Sequence, residues 1–263
     1  MPVSPSDLAL AHALADAAGG VIRRYFRADY GLETKADESP VTRADREAEA
    51  AMRRLILAEA PRDGIVGEEE GTTVGTSGRQ WVLDPIDGTR AFIAGRPIFG
   101  TLIALVEDGF PILGVIDQPI LKERWVGVAG RDTELNGKPA RTRRCRDLAD
   151  ALLATTSPAL FADDELHAFE HLDVKVRSTV LGGDCYNYAC LASGHLDVVV
   201  ESGLKLHDFA ALVPVVEGAG GVMCDWNGDP LHAGSAGDVI AAGDAARVED
   251  ILEALSCRGA GNH

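Results

Sequence analysis

The chain has 263 residues, 46% hydrophobic and 25% charged, with 25 Lys and Arg against 41 Asp and Glu for a formal charge of −16. These values exclude a disordered, collagenous or fibrous chain, and the length suffices to bury a core without cross-links. So acidic a surface repels phosphate backbones, and 5% aromatic residues offer few stacking platforms, so no nucleic-acid partner is expected. The cysteines (Cys145, Cys185, Cys190, Cys224 and Cys257) are odd in number and lack CxxC spacing, which argues against disulfides or zinc and for core or pocket positions. The start has no basic n-region, and no apolar run approaches the ~20 residues of a membrane span. A cytoplasmic protein without membrane contact is expected.

Leu10, Leu14, Ala18, Val21, Ile22, Tyr25 and Phe26 recur at helical spacing, with Ser6 or Asp7 as cap, and Gly31 and the polar stretch to Pro40 end that helix. Thr42 and Asp45 form a capping-box pattern that predicts a second helix over 43–58. Ile65-Val66 reads as a short strand, the Gly/Thr/Ser-rich stretch to Gly78 as a loop, and Trp81–Leu83 as a buried strand ending at Asp84. Runs over 100–107, 112–117 and 123–128 read as an antiparallel meander, and Asn136-Gly137 as a tight turn. The second half alternates: strands over 151–155, 196–201, 222–225 and 239–242, and helices over 162–170, 185–192, 208–217 and 245–255, with a frayed end from Arg258. The fold class is α/β, with layered α+β parts: 1–145, carrying most candidate ligands, and 146–263, carrying the last ligand and the specificity residues. A seam near 143–150 joins them into one compact unit.

Four clusters carry chemistry. In Trp81–Thr89, WVLDPIDGT, a buried strand delivers Asp84, Pro85 stiffens the turn, and Asp87 follows. Two carboxylates on one rigid turn suit a hard cation, and backbone N–H groups at Gly88-Thr89 suit phosphate; the same aspartates also suit a simply capped turn. Gly67-Glu68-Glu69-Glu70 places three carboxylates at a strand end, with Glu68 first in line for a cation or else part of a solvated acidic loop. Asp208 opens an apolar helix; it is a natural N-cap, which does not prevent it from ligating a metal. Thr42 and Asp45 form a cap near Lys35, which is either a phosphate clamp or a solvated lysine.

Together these segments resemble the inositol-monophosphatase-like family of Mg-dependent, lithium-sensitive phosphatases. The resemblance covers nearly the whole chain and is carried by Lys35–Asp45, GEE at Gly67–Glu69, DPIDGT at Asp84–Thr89 and the acidic helix start at Asp208. One departure is His207, where the family usually has tryptophan. The resemblance implies an αβαβα sandwich of the inositol monophosphatase/fructose-1,6-bisphosphatase type and a homodimer, with the apolar meander as a possible interface. It implies Glu68, Asp84, the carbonyl of Ile86, Asp87 and Asp208 as ligands for two or three Mg²⁺ ions, whose oxygen donors suit magnesium better than zinc. Gly88, Thr89 and Lys35 would bind phosphate. Glu68 and Thr89 would position a metal-activated water, supported by Asp45, with no covalent phospho-enzyme.

The stretches Arg90–Leu105, Gly114–Gly127, Gly182–Gly194 and Val199–Gly221 look like the histidinol-phosphate phosphatase branch, which acts in histidine biosynthesis. Histidinol phosphate carries an ammonium and an imidazole, so its pocket wants carboxylates. Asp184, before a helix, and Glu201, at a strand end, are placed to supply them; a helix cap and a solvated strand end are their plainer readings. Arg90, where inositol-directed members more often have asparagine, contacts substrate or forms a structural ion pair. His207 bonds an imidazole or packs, and Tyr186 and Trp125 read as core. The rivals are an inositol- or sugar-phosphate phosphatase with the same metal site, and a catalytically silent binding protein.

Overall fold

The computed structural model describes residues 3–29, 31, 33–34 and 40–256. Lys35, Cys257 and the expected frayed end lie outside them. Helix α1 (Pro5–Tyr25) is capped by Ser4 rather than Ser6 or Asp7: the Ser4 hydroxyl accepts the Asp7 N–H at 3.2 Å, and Asp7 accepts the Ser4 N–H at 2.8 Å. Strands β1 (Glu33–Thr34) and β2 (Pro40–Val41) form an antiparallel pair. Helix α2 (Arg43–Glu59) begins at Thr42 with Asp45 closing the expected capping box.

One sheet takes eight strands in the order β10-β9-β8-β7-β6-β5-β3-β4. They are β3 (Gly64–Gly67), β4 (Gly71–Thr73), β5 (Arg79–Asp87), β6 (Gly100–Glu107), β7 (Phe110–Gln118), β8 (Glu123–Val128), β9 (Glu134–Leu135) and β10 (Lys138–Pro139), with helix α3 (Thr89–Ile93) after β5. The predicted meander is β6–β8. Two local expectations fail. Part of the Gly/Thr/Ser stretch is a strand: β-branched Thr72 and Thr73 pair with Val66 and Ile65 as an exposed edge. And β5 does not stop at Asp84 but runs on through Pro85 to Asp87.

The second sheet has the order β12-β11-β13-β15-β14. It is formed by β11 (Leu152–Thr155), β12 (Ser178–Leu181), β13 (Val198–Glu201), β14 (Val222–Cys224) and β15 (Val239–Ala242). Between these strands come α4 (Asp163–Asp173), α5 (Cys185–Ala192), α6 (Leu206–Phe209) and α7 (Leu212–Gly218), and α8 (Val248–Ser256) closes the fold. The single helix expected over 208–217 is thus two. The break lies at Ala210-Ala211, and Pro214, in the first turn of α7, offers no N–H to the carbonyl of residue 210.

Alternation along the strands sorts the core into layers. Trp81, Leu83, Ile103 and Val115 pack against α1 and α2, whereas Val82, Leu102, Ala104 and Ile116 face α5 and α7. Val199 and Ala241 of the second sheet join that inner layer, and Val198, Val200 and Ile240 turn outward onto α4 and α8. The order is therefore helices, sheet, helices, sheet, helices: the expected αβαβα sandwich. The faces of the meander strands β6 and β7 are covered by helices, while Phe110 and Leu121 at its turns stay exposed. Across the seam, Arg143 donates to both Asp197 oxygens at 2.7 and 2.5 Å, and Asp197 also accepts the Leu152 N–H. Among the described residues no helix is long and apolar enough to cross a membrane.

Candidate active site

The irregular end of β5 builds the centre of the site. Asp84 pairs with Leu102 and Asp87 with Gly100, so three steps on β5 face two on β6. With a strict period of two, residues 84 and 87 would face opposite sides; the bulge at Pro85 brings them to one side. Carboxylate oxygens of Asp84, Asp87 and Asp208 lie within 4.8 Å of one another. Asp208 is not the N-cap residue itself but takes the acidic position of a capping box. It is the third residue of α6, and its Oδ2 accepts the Lys205 N–H at 2.7 Å.

The remaining predicted residues arrive from separate elements. Glu68 follows β3, its N–H donates to the Leu83 carbonyl at 3.2 Å, and its charge acts on both Asp84 and Asp45. Asp45 is fully buried: Oδ2 accepts the Thr42 N–H and hydroxyl at 2.8 and 2.5 Å, while Oδ1 has no partner. The capping role of Asp45 therefore uses one oxygen and leaves the other. Asp84 Oδ1 accepts the Ile86 N–H at 3.0 Å, and the Ile86 carbonyl accepts the Thr89 hydroxyl at 3.1 Å. Gly88 opens α3 at φ +87° without a side-chain cap. Arg90 is exposed, and its charge acts on Asp184. His207 Nε2 lies 3.5 Å from Asp208 Oδ1.

Asp184 holds the cap position of α5 yet makes no capping bond, and its backbone sits at φ 44°. Its carboxylate is turned toward Gly88 instead. Glu201 is not a solvated strand end: it is 7% exposed, with Oε1 accepting the Thr156 N–H and hydroxyl at 2.9 and 2.5 Å and Oε2 the Tyr188 hydroxyl at 3.3 Å. Asp87, Asp184, Glu201 and Asp208 share a cavity of about 140 Å³ with Thr155–Ser157 and Leu160. The threonines had escaped notice in the sequence. They end β11, parallel to β13, and the carboxyl ends of adjacent parallel strands are where α/β sheets place ligands. Trp125 and Tyr186 are core, as read, packed edge to face at 5.9 Å, with Tyr186 bonded to Glu123.

Burial and then mutual repulsion govern these acids. Desolvation pushes Asp84 well above the usual carboxylate range, with Glu68 and Asp87 adding to it, and Asp87 likewise, with Asp184 and Asp208 adding. Asp208 is raised by burial against the opposing charge of His207. Burial lifts Asp45 and Asp184 to about 6 and Glu201 to about 7, against the Thr42, Arg90 and Thr156 contacts that favour their anions. Burial also raises the Cys185 thiol, consistent with a packing cysteine. An all-oxygen donor set held against its own repulsion, with the bare Oδ1 of Asp45 beside it, fits hard divalent cations.

Residues 6–259 match the model of the Inositol monophosphatase family. The chain belongs to the inositol monophosphatase family. It is a phosphatase of that metal-dependent family, and it carries a cluster of acidic residues, Asp84, Asp87 and Asp208. It is 50% identical to the Bifunctional phosphatase IMPL2, chloroplastic, of Arabidopsis thaliana, over 96% of this chain and 78% of that protein. It is 39% identical to the Histidinol-phosphatase of Mycobacterium tuberculosis, over 89% of this chain and 93% of the relative. The structure of an inositol monophosphatase from Zymomonas mobilis superposes with a TM-score of 0.88 at 57% identity, covering 95% of this chain and 97% of the other.

Proposed function

We propose that this phosphatase is Mg²⁺-dependent and hydrolyses L-histidinol phosphate to L-histidinol and phosphate, a step of histidine biosynthesis. The observation that carries the substrate is the pair of carboxylates, half-buried Asp184 and buried Glu201, on the cavity that also reaches Asp87 and Asp208. Burial holds both acids above their ordinary range, so a cationic guest between them is favoured because it lets them ionise. An ammonium or imidazolium head does this; a neutral polyol only accepts and donates hydrogen bonds. The 39% identity to a protein named histidinol-phosphatase supports the same reading.

Asp84, Asp87, Asp208, Glu68 and the Ile86 carbonyl would hold the two or three ions. Divalent ions bound there neutralise the phosphate, lower the pKa of a water and stabilise the departing alkoxide. The amides of Gly88 and Thr89 would cradle the phosphate, and Lys35 would bind it. Glu68 and the Thr89 hydroxyl orient the attacking water, and Asp45, buried beside Glu68, supports them. Asp184 and Glu201 hold the substrate's cationic head, flanked by Arg90 and His207. The working form is a homodimer, for which exposed Val180 and Leu181 on the edge strand β12 supply apolar surface.

A second reading, an inositol- or sugar-phosphate phosphatase, is favoured by the 57% identity to the Zymomonas mobilis inositol monophosphatase and by the suitability of Glu201 for hydroxyls. Phosphate release from L-histidinol phosphate and myo-inositol 1-phosphate, each with and without Mg²⁺, separates the two. A Mg-dependent preference for histidinol phosphate is expected, and Asp184→Asn should cost that substrate about tenfold more than the neutral one. Equal or reversed preference leaves the second reading. No turnover of any phosphomonoester overturns both and leaves a binding protein.

A further inference from the structure

The turn that carries Glu68 is held from beneath by a buried acid that its sequence neighbours do not announce. Helix α2 delivers Glu49, fully buried. Its Oε2 accepts the Glu69 N–H at 2.8 Å, and its Oε1 accepts the Glu70 N–H at 3.0 Å and Arg53 Nε at 2.7 Å. Arg53, itself 7% exposed, reaches on to the Gly71 carbonyl, to the Thr73 hydroxyl at 3.2 Å and to the Glu70 carboxylate at 3.5 Å. On the other side of Glu68, a Cβ on Gly67 would overlap Glu49 Oε1, so the carboxylate is seated directly on that glycine. Glu49 therefore grips the chain immediately before and immediately after Glu68.

A buried carboxylate is tolerated when each oxygen is bonded and a counter-charge is in contact, and Glu49 meets both conditions. Its partners are chosen in a telling way: two are backbone amides of the turn, and the counter-charge is tied to the strand that follows it. Main-chain conformations on both sides of Glu68 are thus fixed in the folded protein. A turn already fixed loses little conformational freedom on gripping a cation, whereas a loose one would lose it at that moment.

We propose that Glu49 is a positioning residue for the cation site: paired with Arg53, it presets the turn that presents Glu68 without touching cation or substrate. The inference rests on the reading of Glu68 as a ligand. It also accounts for Gly67, where any side chain would displace the anchoring carboxylate.

The test uses the full chain and two readouts: amide hydrogen exchange at Glu69 and Glu70 in cation-free protein, and Mg²⁺ binding by calorimetry. Glu49→Gln keeps the shape but sets an amide group against N–H donors. It should speed exchange at both amides and raise the Mg²⁺ concentration for half-saturation about tenfold, the usual size for a group supporting a ligand. Turnover should recover at saturating Mg²⁺, and circular dichroism should show the cation-free variant as fully folded as the parent, which a merely destabilised protein would not show. Gly67→Ala leaves Glu49 in place but pushes on the same carboxylate, so it should produce the same two shifts, and it serves if Glu49→Gln does not fold. Glu68→Gln should weaken Mg²⁺ binding with exchange at Glu69 and Glu70 unchanged. If Glu68→Gln binds Mg²⁺ normally, the ligand reading of Glu68 fails and the inference falls with it. If Glu68→Gln weakens binding while Glu49→Gln or Gly67→Ala leaves half-saturation within about twofold of the parent, the positioning role alone is overturned.

Discussion

The backbone N–H of Cys185 donates to Asp87 Oδ2 at 2.6 Å, joining the start of α5 to the bulged end of β5 across 98 residues of sequence. One residue earlier, the Asp184 carboxylate lies against Gly88, where a Cβ would stand 2.9 Å from Oδ2. The acidic cluster at Asp87 and the proposed specificity pocket at Asp184 therefore share a single seam, and changes on one side should register on the other.

Gly88→Ala should be a damaging small substitution in this seam. Its φ of +87° is left-handed, and the new methyl meets Asp184. Left-handed strain alone costs about 1–2 kcal/mol, which lowers Tm by roughly 2–8 °C in a chain of this size. Misplacing the phosphate cradle should reduce kcat/KM about 100-fold or more. Adding Asp184→Ala removes the opposing carboxylate and should restore part of the stability, as measured by thermal unfolding of the double variant.

Glu201 gives a pH signature of known sign. Burial raises it from 4.5 to about 7, so between those values the folded chain holds a proton that the unfolded chain has lost. Stability of the ligand-free protein should accordingly fall as pH rises from about 4.5 through about 7, and Glu201→Gln should flatten that part of the profile. A cationic substrate prefers the anion, so KM for histidinol phosphate should decrease as pH rises through about 7, whereas KM for a neutral polyol phosphate should not follow it. A decreasing KM for both substrates alike would argue that the titration belongs elsewhere in the site.

Asp87→Asn should exchange function for stability. Asp87 is held well above its ordinary range by burial and by Asp184 and Asp208, so removing its charge relieves repulsion while an amide oxygen still accepts from Cys185. Cation-free protein should gain on the order of 1 kcal/mol in denaturant unfolding. The stabilisation that Mg²⁺ confers on the parent should disappear, and turnover with it. A variant that loses stability in the absence of cations would show that repulsion is not what governs the empty cluster.

Much of this architecture was legible because it is local. The 3.6-residue spacing of Leu10, Leu14 and Ala18, the Thr42–Asp45 capping box and the Asn136-Gly137 turn each depend on a few neighbouring residues, and each appears where expected. The Asp84–Thr89 segment, Glu68 and Asp208 were readable as acids in special settings. Hidden from that reading were the bulge that aligns Asp84 with Asp87, the break at Ala210-Ala211 between α6 and α7, the burial of Glu201 under Thr156 and Tyr188, and the Glu49 anchor. Each of these depends on a partner distant in sequence. Thr42 bonds within its own turn, whereas Glu201 meets Thr156 from 45 residues away.

By itself, then, the sequence determined most of the helices and strands, how their apolar faces alternate, and which acids stand near the ends of buried strands. Those follow from short-range sterics and from the two backbone periodicities. Tertiary structure alone decided which acids share a volume and what their charges do there. Desolvation and Coulomb repulsion depend on distance and dielectric, which exist only once α2, β5, α5, β13 and α6 have converged. In an extended chain Asp84, Asp87, Asp208, Asp184 and Glu201 are five ordinary carboxylates. In the folded protein burial raises every one of them above its ordinary range, and neighbouring acids add to it.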